Sequence, residues 1–262
     1  MIKLIILNEP KFFRHAPCTL APYIGMKTLT KFLFRARNIL FPSSCALCGG
    51  NLFEADEIRE SLCGSCSHSI EPVYGPICIV CGKPLVSEIE RCLSCRNREE
   101  ERFYERIWVL FPYTGKYRKL LTSYKFKNNL CLANFFAQKI ANLIMSIPEL
   151  KEACIVPVPP RPGKIKKAGW DQVDHLVKKL GKLVNFPVVR CLKRMKSKIQ
   201  KSLSRAERLK NLKGKIFQNA SAPEIALIID DVITTGSTME VCAQTLKNAG
   251  AKKVYGICLF YD

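Results

Sequence analysis

Four Cys-x-x-Cys pairs between residues 45 and 95 constrain this chain more than any other feature of its sequence. Two cysteines at this spacing bind one metal ion from a single tight turn, and structural Zn²⁺ takes four ligands. Two pairs make one closed site, so the region predicts two structural zinc ions. Sequential pairing is the simplest arrangement, although the gaps between the pairs also allow a cross-braced one. The candidate ligands are Cys45, Cys48, Cys63, Cys66, Cys78, Cys81, Cys92 and Cys95.

The other cysteines are isolated and scattered through the chain, several of them in apolar runs, which is typical of core residues. A secreted disulfide scaffold would be shorter and would begin with a signal peptide, a pattern that the N-terminus lacks. No uncharged apolar run approaches the roughly 20 residues that span a bilayer. We therefore expect a cytoplasmic protein with reduced thiols and no transmembrane span.

The chain divides into three parts. Residues 1–41 contain an irregular, proline-containing stretch and then an amphipathic helical pattern from Met26 onward. Because residues 1–25 lack periodicity, one hypothesis is that the natural start is Met26 and that the preceding residues are not native. Residues 42–96 form the zinc-binding module, and a charged linker joins it to a larger domain at residues 107–262.

From residue 107 onward, apolar runs alternate with helical patterns. Continuous Val/Ile/Leu strands between helices are typical of a parallel sheet with helices on both faces. The fold class is therefore α/β, preceded by a small cysteine-rich module. The expected strands are 107–113, 154–159, 186–192, 225–230 and 253–260. The expected helices lie near 116–126, 130–146, 170–184, 204–213 and 237–249.

The sharpest motif is ALIIDDVITTGSTM at residues 226–239, where an apolar strand ends in two acids and a Thr-Thr-Gly-Ser-Thr loop leads into a helix. N–H groups and hydroxyls at a helix N-terminus cradle a phosphate, and glycine lets the backbone approach it closely. The carboxylates can accept hydrogen bonds from sugar hydroxyls or hold Mg²⁺. An ordinary strand–turn–helix is the alternative. The candidate binding residues are Asp230, Asp231, Thr234, Thr235, Gly236, Ser237 and Thr238.

This motif resembles the loop with which type I phosphoribosyltransferases bind 5-phosphoribosyl-1-pyrophosphate (PRPP), where two acids precede Thr-Gly-x-Thr. The chain is also similar to the ComF family of competence proteins, which place a cysteine-pair zinc module before such a domain. The similarity covers residues 38–262. It is carried by LFPSSCALCGG at 40–50, CIVCGKP at 78–84, YTGKYRKLLTSYKFK at 113–127, PVPPRPGKIKKAGWDQ at 157–172 and QKSLSRAERLKNLKGKIF at 200–217.

The resemblance implies a type I phosphoribosyltransferase-like sheet that binds PRPP with Mg²⁺ at residues 230–238. It also implies a pyrophosphate-facing loop after the strand at 154–159, with Arg161 and Lys164 as candidate ligands. The family usually has Arg before the glycine of this loop, then an aromatic residue, Asn and Gln, whereas this chain has AGWDQ at 168–172. An expected cation is therefore missing. No residue is assigned a catalytic role, and turnover stays open.

Basic residues dominate the composition: 42 Lys and Arg against 22 Asp and Glu, a formal net charge of +20. A single pyrophosphate group does not require this excess, which favours a nucleic-acid backbone as ligand. Four aromatic residues are candidates for stacking on single-stranded bases. They are Tyr117, Tyr124, Phe126 and Trp170.

These features, with the resemblance, predict a competence accessory protein that assists uptake of transforming single-stranded DNA. The expected partner is a DNA-uptake helicase or channel, with the protein peripheral at the inner membrane. Two alternatives stay open: an active phosphoribosyltransferase in nucleotide metabolism or salvage, and a PRPP-sensing regulator without turnover.

Overall fold

A computed structural model describes residues 42–72, 76–87, 89–97, 102–195 and 214–262. The predicted segment 1–41, with its helix from Met26, and the helix predicted near 204–213 lie outside the described residues. No helix among the described residues is long and apolar enough to cross a membrane.

The cysteine-rich module consists of short turns and helices around its cysteine pairs. Strands β1 (Ser43–Ser44) and β2 (Asn51–Leu52) pair antiparallel and enclose the first pair. The helices are α1 (Ala55–Glu60), α2 (Gly64–Ser69) and α3 (Leu93–Arg96). Helices α2 and α3 each begin directly after a cysteine, so the second cysteine of the pair lies in the first helical turn. One turn separates i from i+3 on a single face, and the two thiols therefore converge.

An α/β domain follows the module. Its elements in chain order are β3 (Arg106–Pro112), α4 (Gly115–Phe126), α5 (Leu132–Met145), β4 (Cys154–Pro157), α6 (Lys164–Ala168), α7 (Gln172–Val184), β5 (Leu192–Arg194), β6 (Ile216–Gln218), β7 (Ile225–Ile233), α8 (Ser237–Asn248) and β8 (Lys253–Tyr261), with a 3-10 turn at Pro148–Leu150.

Four strands form one parallel sheet in the order β3-β8-β7-β4. They confirm four of the five expected strands. Strand β4 ends at Pro157, before the predicted end, because Pro159 and Pro160 have no N–H to donate to a neighbouring strand. Helices α4, α5, α7 and α8 confirm the remaining predicted helices.

The strand predicted at 186–192 is wrong as a regular strand of this sheet. The structure has only an isolated bridge there, between Val188 and Ile155. Ile155 pairs with Pro187 O and Val189 N, and the pairing ends there because neither Pro187 nor Pro157 has an N–H to continue it. A regular strand begins later, as β5, and it pairs antiparallel with β6 outside the parallel sheet.

Successive side chains of β3 point to opposite faces of the sheet, and helices cover both faces. Trp108 and Leu110 belong to a core that includes the buried sides of α4, α5 and α7. Ile107 and Val109 belong to a second core with α8, represented by Met239. The observed layers confirm the prediction of helices on both faces.

The first half of the cysteine-rich module packs on α4 and α5, and its buried Leu52, Leu62 and Ile70 join the core on that face. Side chains of the domain donate to main-chain carbonyls of the module. The pairs are Lys116 to Ser69, Tyr117 to Glu71, Lys119 to Leu47 and Asn134 to Arg59. Two lysines of α4 therefore hold the module.

The second half of the module covers the outer edge of β3. Ile107 N donates to the carbonyl of Val80 at 2.9 Å. Gly82 lies so close that a Cβ there would be 2.7 Å from Ile107 O. The contact shields an otherwise open sheet edge.

Candidate functional site

The paired cysteines gather into two tetrads. Within each tetrad the sulfur atoms all lie within 4.8 Å of one another. This arrangement confirms sequential pairing and excludes the cross-braced alternative. The tetrads are Cys45, Cys48, Cys63 and Cys66, and Cys78, Cys81, Cys92 and Cys95.

The sulfur geometry fits zinc. The Sγ atoms of Cys48 and Cys63 are 3.8 Å apart, and those of Cys81 and Cys92 are 3.7 Å apart. Four thiolates about 2.3 Å from one ion in a tetrahedron lie about 3.8 Å from each other. Since cysteine supplies all four ligands, each site is closed, as structural sites are.

Local hydrogen bonds favour the thiolates that zinc requires. The backbone N–H groups of Gly50 and Cys63 point at sulfur atoms of the first tetrad, at 3.4 and 3.5 Å. In the second tetrad, a hydrogen bond from Cys81 lowers the pKa of Cys95 to about 4, and Arg102 acts in the same direction against the effect of burial. Cys95 therefore takes the thiolate form more readily than Cys81, whose pKa the same contact raises.

The acid–threonine–glycine loop lies at the carboxyl end of β7 and the start of α8, as predicted. Gly236 precedes α8 with φ of +75°, a conformation that glycine adopts without strain. The hydroxyls of Thr235 and Ser237 are 2.9 Å apart. Thr234 and Thr238 are half-buried on either side. The structure thus brings together the five loop residues singled out in the sequence.

The two acids of the motif have different surroundings. Asp230 is buried near Cys242 and Cys258. Burial, and next the charge of Asp231, raise the pKa of Asp230 well above its ordinary value. For Asp231, burial also acts to raise the pKa, but Lys125 and further hydrogen bonds outweigh it and hold the pKa below its usual value. Asp231 therefore carries the negative charge of the pair more readily.

A polar network surrounds Asp231. Its Oδ2 accepts from Lys125 Nζ at 2.8 Å and from Gln172 Nε2 at 2.6 Å. Lys164 contacts Gln172 Oε1 and pairs with Asp171 at 2.6 Å. Asp171 caps α7 by accepting from two backbone N–H groups at 3.0 Å. The network therefore ties α4, α6 and α7 to the end of β7.

The two residues predicted for the pyrophosphate loop have different places. Lys164 belongs to the network around Asp231, whereas Arg161 is exposed just before α6. Arg194, at the end of β5, interacts electrostatically with both Arg161 and Asp230. Its Nε is buried and has no hydrogen-bond partner among the described residues. Arg194 is therefore near Asp230, and Arg161 is near Arg194.

Sequence reasoning did not assign four residues of this site: Lys125, Asp171, Gln172 and Arg194. The first three lie in segments 113–127 and 157–172, which carry the family resemblance, so a signal was present. Arg194 lies among several other Lys and Arg residues, and no local sequence pattern separates it from them.

Lys125→Met is expected to lower the free energy of unfolding by about 2 kcal/mol at pH 7, because Asp231 would stay buried without its cation. The lowered Asp231 pKa means that this stabilisation is fully present above the ordinary carboxyl pKa of about 3.9 and is lost as the pH falls through the lower native value. The difference between variant and wild type should therefore shrink below about pH 4. Urea denaturation at several pH values measures it.

Lys178→Met is the matched control, because Lys178 pairs with Asp174 at 2.8 Å on the surface. An exposed pair of this kind contributes at most about 0.5 kcal/mol. Equal losses in the two variants would show that the Lys125–Asp231 pair is no stronger than a surface pair.

Comparison with known proteins agrees with this architecture. A model of the double zinc ribbon domain matches residues 36–100, and a model of the phosphoribosyl transferase domain matches residues 204–262. Competence protein F of Haemophilus influenzae is 27% identical over 82% of this chain and 95% of that protein. Competence protein ComFC of Streptococcus pneumoniae is 28% identical over 74% of this chain and 84% of that protein.

The chain is thus similar to ComF and ComFC competence proteins over most of its length. The zinc-ribbon match covers both cysteine tetrads, and the phosphoribosyl transferase match covers the loop at 230–238. A solved hypoxanthine phosphoribosyltransferase from Staphylococcus aureus is 14% identical over 50% of this chain and 63% of that chain, with a TM-score of 0.33. A TM-score below 0.5 does not establish a shared fold.

Proposed function

We propose that residues 230–238 bind PRPP together with Mg²⁺. The observation that carries the proposal is the pair of buried acids near the end of β7, followed by a Thr-Thr-Gly loop that leads into α8, with Arg194 near Asp230. The 5′-phosphate would accept from N–H groups and hydroxyls of residues 235–238. Because Lys125 and Gln172 both donate to Asp231 Oδ2, we expect Oδ1 to face a ribose hydroxyl or hydrated Mg²⁺.

Arg161 and Arg194 support binding of the pyrophosphate group at this site. Arg161 is exposed and Arg194 has a buried Nε without a partner among the described residues. Two guanidinium groups near each other repel unless an anion lies between them. A pyrophosphate would relieve that repulsion and complete the hydrogen bonding of Arg194. Lys164 would contribute its positive charge from the hydrogen-bond network around Asp231.

Titration calorimetry of PRPP and Mg²⁺ into the zinc-loaded protein tests this site. We expect saturable binding to wild type and a loss of affinity of at least about tenfold in the Asp230→Asn/Asp231→Asn variant, since each charged hydrogen bond contributes roughly 1.5–3 kcal/mol. Asp174→Asn is the matched control, because that carboxylate pairs with Arg190 at 2.7 Å outside the loop. Circular dichroism and zinc content establish that each variant is folded. Absence of binding to folded wild type would contradict the proposal.

We propose further that the protein assists uptake of transforming single-stranded DNA, at the cytoplasmic side of the inner membrane and together with a DNA-uptake helicase or channel. The names of the competence relatives and the net charge of +20 support this role. Fewer of the aromatic side chains are available for stacking on bases than the sequence suggested. Tyr124 is fully buried, with its hydroxyl donating to Gln172 O, whereas Phe126 is 69% exposed.

Fluorescence anisotropy with a short single strand tests the DNA role. We expect binding that is independent of sequence and that weakens steeply with salt, with a further loss in Phe126→Ala if that ring stacks on a base. Release of pyrophosphate with an added nucleobase would instead favour an active transferase. A PRPP-dependent change in DNA affinity without such release would favour a PRPP-sensing regulator.

A further inference from the structure

Arg102 connects the second cysteine tetrad to helix α8. Its Nη1 donates to Glu240 Oε2 at 2.7 Å, and its Nη2 points at Cys95 Sγ at 3.6 Å. Glu240 also accepts from Phe103 N at 3.3 Å. The side chains of Arg102 and Glu240 are only 9% and 5% exposed. One guanidinium therefore lies between a metal ligand and the first turn of the helix that follows the phosphate loop.

When zinc is bound, Arg102 lies between two anionic groups. Four thiolates and one Zn²⁺ carry a net charge of −2, and Glu240 adds another negative charge on the far side of Arg102. A planar guanidinium can donate in two directions at once, which suits a position between two anionic groups. A buried ion pair is stable only while every charge in it stays compensated. Zinc binding thus fixes the position of the Cys95 thiolate, which is one of the two anionic groups that hold Arg102 in place.

Glu240 transmits this restraint to the loop. Its backbone N–H donates to Gly236 O at 2.9 Å, which is the first helical hydrogen bond of α8. Gly236 is the residue whose left-handed conformation turns the chain into the helix. Fixing the Glu240 side chain therefore restrains the N–H groups that we propose for the phosphate.

We propose that Arg102 is a positioning residue through which zinc at the second tetrad holds residues 236–240 in the conformation that binds the phosphate of PRPP. The identity of the ligand rests on the proposed function, whereas the coupling between zinc and α8 does not. Where the structure describes it, the first tetrad contacts the domain through α4 and α5, on the opposite face of the sheet. It should not share this coupling.

The experiment compares proteins that lack one tetrad or the other. Cys78→Ser/Cys81→Ser empties the second tetrad and keeps Cys95, while Cys45→Ser/Cys48→Ser empties the first and serves as the matched control. Hydrogen exchange measured by mass spectrometry reports on residues 236–241, and calorimetry reports PRPP affinity. We expect about tenfold faster exchange and about tenfold weaker binding from loss of the second tetrad alone, a size typical of coupling between sites.

Arg102→Met should reproduce both effects in the zinc-loaded protein. When it is added to Cys78→Ser/Cys81→Ser, it should cause no further change, because the restraint is already lost. If Arg102 only stabilised the fold, the effects of Arg102→Met and of Cys78→Ser/Cys81→Ser on exchange and affinity would add. Glu240→Gln, which keeps the shape of the side chain and removes its charge, is a second variant in case Arg102→Met does not fold.

Equal exchange at 236–241 after loss of either tetrad would overturn the coupling, and so would additive effects. If wild type binds no PRPP, the proposed function fails, but the exchange measurements still decide whether zinc and α8 are coupled.

Discussion

Removal of both zinc ions by a chelator under reducing conditions is expected to unfold residues 42–97 while the four-stranded sheet stays folded. The second half of the module has little core of its own, with Cys78, Leu85 and Cys92 as its buried cluster. The metal therefore provides most of its stability, on the order of 10 kcal/mol for a structural zinc. The sheet has extensive cores on both faces that consist mostly of residues of the α/β domain, so we expect it to stay folded without the metal.

Metal analysis should find two zinc ions released per chain. Hydrogen exchange should then show loss of protection across the module and retained protection in β7 and β8. Persistent protection of residues 76–97 after complete loss of zinc would contradict the expectation, as would release of a single ion.

Gly82→Ala is expected to destabilise the protein by about 3 kcal/mol or more. Gly82 has φ of +71°, and an added Cβ would lie 2.7 Å from Ile107 O and 2.9 Å from Val109 Cγ2. The first atom belongs to the backbone of β3 and cannot rotate away, so the module and the strand would have to separate. Unfavourable left-handed conformation and overpacking each cost roughly 1–3 kcal/mol.

Gly49→Ala is an unusually close control for this change. Gly49 occupies the same place after the second cysteine of its pair and has φ of +79°, but nothing lies within 4 Å of an added Cβ. Gly49→Ala should lower the free energy of unfolding only by the cost of the left-handed conformation, about 1 kcal/mol. Thermal unfolding and zinc retention measure both variants, and equal losses would show that contact with β3 does not decide the effect.

Two parts of the site followed directly from the sequence because they depend on residues close together in the chain. The Cys-x-x-Cys spacing places two thiols in one turn, and the acid–threonine–glycine motif places its hydroxyls at the start of a helix. Continuous apolar segments also predicted four strands of the sheet. The strand at 186–192 failed because two prolines, Pro157 and Pro187, limit its pairing to a single bridge.

The sequence by itself determined two pairs of Cys-x-x-Cys turns, a parallel sheet with helices on both faces, and a Thr-Thr-Gly-Ser-Thr loop at residues 234–238 that leads into a helix. Only the tertiary structure decided that Lys125 holds the charge of Asp231, that the burial of Asp230 raises its pKa, and that Arg102 joins Cys95 to Glu240. Arg102 and Glu240 are 138 positions apart in the sequence. Local spacing determines which atoms share a turn, whereas the order of strands and the packing of helices determine which distant charges meet.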